Sequence, residues 1–259
     1  MASLAASAVS AACLGGLWTS VDVVARTGST NADLMARGGP EGQVLVAEEQ
    51  TAGRGRMGRT WVSEPGAALT FSVLLRPAAV PQARRGWLPL LTGVAVAAAV
   101  RSVAAVPAVL KWPNDVLIGE GKVAGILAEQ SGDAVVVGVG INVSTPLSAV
   151  PASASGLPAT SLVAEGADVA RDALLIGVLR ELERRYLAFR ADPDPARSGI
   201  QASYRGLCAT IGRPVRVELP GDRVLVGTAE DVDADGRIVI REGETSVQAV
   251  SAGDVIHLR

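Results

Sequence analysis

Short β-branched runs alternate with longer apolar stretches along the first two hundred or so residues of the chain. Residues 20–26 (SVDVVAR), Gln43–Glu48 (QVLVAE) and Ala67–Leu75 (AALTFSVLL) each predict a strand. Across 84–105, Trp87, Leu90, Leu91, Val94 and Ala98 recur at helical spacing and predict a long apolar helix. Residues 168–190 predict another, with Leu175, Val178, Leu179, Leu182, Tyr186 and Phe189 on one face and Arg180, Glu181, Arg184 and Arg185 opposite. Pro-Asn-Asp turn chemistry inside Val109–Ile118 (VLKWPNDVLI) predicts a hairpin or a bulged strand. Strands follow at Lys122–Glu129 and Ala134–Val143, then a loop over the Pro-, Ser- and Ala-rich residues 144–160. The small, apolar stretch before Trp18 predicts a short helix, and TGSTNADLMARG another that starts near Asn31. Ser29 or Thr30 either caps that helix or points into a site.

Past Ile211-Gly212 the pattern changes. PVRVEL, RVLVGTAEDV, GRIVIRE, TSVQAV and DVIHLR alternate apolar with polar residues and are separated by PGD, DADG and EGE. Such short strands with frequent turns predict a small β-barrel of about fifty residues. A boundary near residue 210 divides the chain into 1–209 and 210–259, and the whole reads as α+β.

Composition removes several function classes. The chain has 259 residues, 49% of them hydrophobic, which is ample for a core. A formal charge of −2 and a pI near 5.6 argue against a general nucleic-acid binder. Cys13 and Cys208 lie far apart with no CxxC, which fits a reducing, cytoplasmic setting. His257, the one histidine, alternates with apolar neighbours near the end, so Ser-His or Cys-His catalysis and a multi-His metal site are not expected. No Lys or Arg precedes Arg26, so a signal peptide is not expected in the N-terminal stretch. Arg101 interrupts the most apolar run, and neither a transmembrane helix nor a membrane partner is expected.

Against this background Glu48–Trp61 (EEQTAGRGRMGRTW) stands out, interleaving Gly53, Gly55 and Gly58 with Arg54, Arg56 and Arg59. It is not a P-loop, for no GK[ST] follows, nor a dinucleotide-binding turn, for no helix is predicted after it. Pliable backbone lined with guanidinium forks suits an anion. With three like charges and few apolar anchors, the loop is expected to be mobile until an anionic ligand orders it. Lys111 and Lys122 are the only lysines among 24 basic residues, and both fall in one short segment. Gly138 and Gly140 either admit close backbone approach to a ligand or mark a bulge.

In this order, GRGRMGRTW, KWPND, KVAGILAE and GVGIN closely resemble the biotin protein ligase family over most of residues 20–145, and the ending SAGDVIHLR resembles that family's small C-terminal domain. The resemblance implies a mixed-sheet biotin/lipoyl-ligase-like catalytic domain with an SH3-like β-barrel. It implies a two-step reaction: biotin and ATP, with Mg²⁺, give biotinyl-5′-AMP, and a lysine of the biotin carboxyl carrier domain of an acyl-CoA or pyruvate carboxylase then takes the biotinyl group. The N-terminal segment is too short for the winged-helix domain of bifunctional members, so a monofunctional enzyme without specific DNA binding is expected.

The same resemblance assigns residues. Lys122 lies between the biotin carboxylate and the α-phosphate, with Arg56 beside it. Asp115 orients, and deprotonates, the carrier lysine, or else serves as a turn-stabilising Asx. Ser29, Thr30, Gln50, Gly53, Arg54, Arg56, Lys122 and Gly125 hold biotin. Arg54, Arg56, Arg59, Trp61, Lys111, Asn114, Lys122 and Asn142 hold ATP, although Lys111 could instead make a supporting salt bridge. Gly138 and Asn142 lie by the pocket floor and the adenine. Met57 and Thr60 receive no role, and no protein metal ligand is expected. The charge logic is independent of the resemblance: two close anions repel by about 4 kcal/mol at an effective dielectric near 20, and fixed cations offset this. Two other readings share some features. Arg-Gly loops bind RNA, but the acidic balance and the two Phe and two Tyr argue against it. A lipoyl-type ligase shares the adenylation logic; KWPND with GRGRMGR favours biotin, and pocket shape decides.

Overall fold

Helices and strands follow the hydrophobic pattern closely in a computed structural model, which describes the chain except for residues 1–3, 63, 150–156, 220, 222, 245 and 259. Much of the expected 144–160 loop therefore lies outside the described residues. The elements are α1 (Ala6–Cys13), β1 (Ser20–Val24), α2 (Thr30–Arg37), β2 (Gln43–Ala47), β3 (Gly53–Arg54), β4 (Thr60–Trp61), β5 (Ala68–Leu75), α3 (Trp87–Val103), β6 (Ala108–Lys111), β7 (Asp115–Ile118), β8 (Gly121–Ser131), β9 (Ala134–Asn142), α4 (Arg171–Ala191), α5 (Ile200–Arg205) and the strands β10 (Pro214–Leu219), β11 (Arg223–Val232), β12 (Ile238–Glu242), β13 (Ser246–Val250) and β14 (Asp254–His257). The six residues of α5 are too few for a periodic signal, and the sequence reading missed that helix.

Seven strands form one mixed sheet in the order β1-β2-β5-β9-β8-β7-β6. Only β1 and β2 run parallel. The two central strands, β5 and β9, are covered on both faces, and their side chains alternate between two environments. Leu69, Phe71, Val73 and Leu75, with Val135, Val137, Val139 and Ile141, face the main core with α1, α3 and α4. On the other face Leu74 and Val136 join Leu34 of α2 in a small second cluster. Beyond Ala134, which joins that cluster, the remaining positions of the second face carry Ala68, Thr70, Ser72, Gly138, Gly140 and Asn142. Hydroxyls and glycines there fill less space than branched side chains, so this half of the face stays open and becomes a cavity.

Up to Val100, α3 belongs to the core, and only its last turn reaches the surface. The stretch 82–103 is long and apolar enough by composition to cross a membrane, but Trp87, Leu91, Val94 and Val100 are fully buried against the sheet and α4. The expected apolar face of α4 is buried too, from Leu175 to Phe189.

The five C-terminal strands form a separate antiparallel sheet in the order β13-β12-β11-β10-β14. Two tryptophans of the first unit seat it. Trp87 Nε1 donates to the carbonyl of Ala234 at 2.9 Å, and Trp112 Nε1 to that of Gly236 at 3.1 Å. The backbone N–H of Trp112 also donates to Thr210 Oγ1 at 3.1 Å, and that hydroxyl lies 3.0 Å from His257 Nε2. The structural role expected of His257 is thus met. Burial, then the nearby Lys111 and Arg213 charges, lower its pKa to about 4, which keeps the ring neutral near pH 7.

Candidate active site

Chain direction brings three segments over the open half of the sheet face. β2 ends at Ala47 and delivers the arginine-rich stretch, which folds back as the β3–β4 ladder, Gly53 opposite Trp61 and Arg54 opposite Thr60. Met57, at the tip, has φ +56° and is well exposed. The β6–β7 hairpin supplies Asn114 and Asp115, and β8 supplies Lys122 and Gly125. Together they enclose a cavity of about 460 Å³, within the usual range for a small-molecule site.

At one end the cavity is lined by a connected hydroxyl and amide network. Ser29 is the cap of α2, its Oγ accepting from Ala32 N–H at 3.5 Å, so the capping alternative holds, yet the residue also lines the cavity. Thr30 donates from its backbone and its hydroxyl to Gln50 Oε1 at 2.8 and 3.0 Å. Ser72 Oγ is 2.7 Å from Thr30 Oγ1 and donates to Asn31 Oδ1 at 2.6 Å. Asn31 in turn donates to Glu129 Oε2 at 2.8 Å. Asn31, Thr70 and Ser72 escaped the sequence reading. The available signal was the pair of hydroxyls in an otherwise apolar strand, at the alternation that puts both on one face.

At the other end are the charges. Lys122 Nζ sits 2.6 Å from Asp115 Oδ1, with both side chains largely buried. Two residues with separate expected roles are thus one ion pair. Asn114 is locked to β8 by its Nδ2, which donates to Ile126 O at 3.1 Å, and its Oδ1 accepts from Arg56 at 3.1 Å. Arg56 also reaches the Gly253 carbonyl at 3.4 Å, and Arg59 is paired with Asp254, both at the start of β14. Arg54 lies 3.8 Å from Glu129. The expectation of unrelieved repulsion among like charges is therefore corrected: each arginine of the loop has an oxygen partner within the chain itself. Burial lowers the pKa of Arg56, opposed by Asp254 and Asp115, though a guanidinium stays charged. Burial likewise lowers the Lys111 ammonium, opposed chiefly by Asp115. Among the described residues Lys111 makes no direct ion pair of the kind Lys122 makes, although the Asp115 charge acts on it, and it lines the cavity.

The remaining residues fall on the cavity wall with one exception. Trp61 covers Gly140, where a Cβ would stand 2.3 Å from the indole ring; a Cβ on Gly138 would meet Asn31 Oδ1 at 2.2 Å. These glycines therefore admit side chains of the protein itself. Asn142 donates to Thr160 O at 3.0 Å and lines the cavity. Thr60, given no role, lines it too. Gly53 does not; it borders a shallower hollow behind the loop, where its bare Cα makes room for Gln50 and the Trp61 carbonyl. Asp254 and Val255, from the C-terminal sheet, complete the wall. Among the described residues no three His, Cys, Asp or Glu side chains converge on a metal position.

A mixed sheet carrying an arginine-rich loop over a half-polar cavity, with an appended antiparallel sheet, is the architecture of the biotin and lipoyl ligase class, as the comparisons with known proteins show. Residues 23–145 match the biotin/lipoate A/B protein ligase family, and 210–258 match the biotin protein ligase C-terminal domain. The chain is 46% identical to the biotin–[acetyl-CoA-carboxylase] ligase of Mycobacterium tuberculosis over 95% of its own length and 91% of that protein's. It is 33% identical to the bifunctional ligase/repressor BirA of Escherichia coli, over 86% of this chain and 70% of that one. The solved biotin protein ligase from Aquifex aeolicus in complex with biotin and ATP superposes with a TM-score of 0.78 at 29% identity, over 92% of this chain and 98% of that one. The chain belongs to the biotin protein ligase family.

Proposed function

We propose that the chain activates biotin with ATP as biotinyl-5′-AMP and transfers the biotinyl group to a lysine of a biotin carboxyl carrier domain, in acetyl-CoA carboxylase and, by the same chemistry, in other acyl-CoA or pyruvate carboxylases. One observation carries this reading: a neutral hydrogen-bonding network and a cation cluster face each other across a single cavity. The network of Thr30, Gln50, Ser72 and Asn31 suits an uncharged ureido group, and Ser29 adds a hydroxyl. Arg54, Arg56, Arg59, Lys111 and Lys122 suit a carboxylate and a triphosphate. Trp61 and Asn142 lie on the wall left for adenine.

In the first step the biotin carboxylate attacks the α-phosphorus and pyrophosphate leaves. Lys122 and Arg56 hold the two anions together and stabilise the charge that builds on the phosphoryl oxygens. Asp115 accepts a proton from the carrier lysine, which must be neutral to attack the mixed anhydride, a role supported by its position beside Lys122 on the cavity wall. Mg²⁺ fits this site as an ion carried by the triphosphate. The oxygen donors nearby are the Asn114 and Asp115 side chains, a set that matches its preference for few protein ligands and several phosphate or water oxygens. Bound there, it would neutralise phosphate charge.

Pyrophosphate exchange with biotin, lipoate and octanoate compared tests the assignment; exchange driven by lipoate and not by biotin would overturn it. We also place the enzyme in the cytoplasm, supported by two free, buried cysteines, divide it near residue 210, and assign it no operator-binding role, supported by its acidic balance. A sequence-selective footprint at physiological salt would refute that last point.

A further inference from the structure

The cavity floor is tiled by cross-strand pairs between β5 and β9: Ser72 opposite Gly138, Thr70 opposite Gly140, Ala68 opposite Asn142. The first pair lies under Asn31 and is fully engaged, since Ser72 bonds both Asn31 and Thr30. The second lies under Trp61, and there the bonding stops. Thr70 is 5% exposed, its Oγ1 is fully enclosed, and among the described residues it has no hydrogen-bond partner. The Trp61 indole N–H above the same pair has none either. Buried polar atoms without partners cost about 1–3 kcal/mol each, and native chains rarely leave two side by side without a purpose. The hydroxyls and amides on the Asn31 side of this row, those of Thr30, Gln50, Ser72 and Asn31, are all bonded; on the other side Asn142 donates to Thr160 while its Oδ1 stays unpartnered among the described residues.

We propose that Thr70 is a specificity-determining residue whose hydroxyl contacts the thioether sulfur of bound biotin. This rests on the ligase reading above. With the ureido group at Thr30, Gln50 and Asn31, the bicycle extends along the floor toward Trp61. One step of two residues along a strand is about 6.8 Å, and the polar atom that biotin offers next beyond its ureido group is the ring sulfur. A thioether is a weak acceptor, and a hydroxyl is free to rotate toward it. Thr70 thereby distinguishes the closed sulfur ring from analogues without it, a discrimination the ureido network cannot make.

The test compares Thr70→Val, which keeps shape and β-branching, with Thr70→Ser, which keeps the hydroxyl. Affinities for biotin and for dethiobiotin, which retains the ureido group and lacks the sulfur, are measured on the full chain by calorimetry without ATP. Thr70→Val is expected to weaken biotin three- to tenfold and dethiobiotin less than twofold, with Thr70→Ser near wild type for both. Equal losses for the two ligands would move the contact to the ureido end and overturn the proposal. Unchanged affinities in Thr70→Val, with wild type binding biotin normally, would overturn it while leaving the ligase reading intact. A wild-type chain that binds no biotin would overturn both.

Discussion

Replacing Lys122 with Ala isolates the charge on which the first step depends. Its Nζ stands 2.6 Å from Asp115 Oδ1, the two side chains being 24% and 11% exposed. The backbone of Lys122 is held independently, donating to Pro158 O at 2.8 Å and accepting from Thr160 N–H at 2.9 Å. Truncation therefore removes a charge without unmooring β8. Breaking a largely buried pair leaves Asp115 without its cation and costs about 3 kcal/mol, so the melting temperature should fall by roughly 6–12 °C. The effect on chemistry is at least as large. A cation about 4 Å from each of two anions offsets a repulsion of about 4 kcal/mol at an effective dielectric near 20. Only the part that strengthens toward the transition state appears in the rate, and preorganised donors of this kind contribute roughly 3–4 kcal/mol. Pyrophosphate exchange should thus fall about 10²- to 10³-fold. Truncation also uncovers the Asp115 carboxylate, which then repels the incoming anions, so Lys122→Ala combined with Asp115→Asn should recover about tenfold in exchange while remaining defective in transfer. Lys122→Arg should rescue only in part, because the Lys122 tip packs against Gly125 with room for little more than a compact ammonium. Exchange within threefold of wild type in the alanine variant, with normal folding, would refute the reasoning.

Three further outcomes follow from the same geometry. Arg56→Gly removes the bonds to Asn114 and Gly253 while leaving Arg54, Arg59 and Lys122 in place; adenylate should leave about tenfold faster, seen as biotin on bystander lysines, and an unchanged off-rate would argue against a cover. Asp254→Asn removes the carboxylate that pairs with Arg59; proteolysis between residues 53 and 60 should speed up and the KM for ATP should rise more than that for biotin, whereas equal protection in both proteins would show that the C-terminal sheet does not hold the loop. His257, with a folded pKa near 4 against an ordinary value of 6.5, takes up protons more readily when unfolded. Its contribution is full above about pH 6.5 and is lost as pH falls toward 4, so wild type should lose melting temperature over that window and His257→Gln should lose less; parallel curves would exclude the histidine.

The sequence by itself determined most of the secondary structure and the order of the chemical groups. α4, the individual strands and the change of texture after residue 211 were legible because each is a local periodicity, set by which face must be buried. Arg54, Arg56, Arg59 and Lys122 were legible because charge and glycine cluster against an otherwise sparse background. What the tertiary structure decided is who stands opposite whom. Ser72 and Thr70 read as ordinary strand residues until β5 pairs with β9, which sets them against Gly138 and Gly140 on the open face. Asp254 lies some 190 residues from the loop it latches, a contact with no sequence period. Lys122 and Asp115 meet only because β7 and β8 pair with a register shift between Val116 and Leu117. Local pattern specifies elements, because burial acts on neighbours a few residues apart; partners at a site are specified by strand register and by the docking of the second sheet, which depend on the whole core at once.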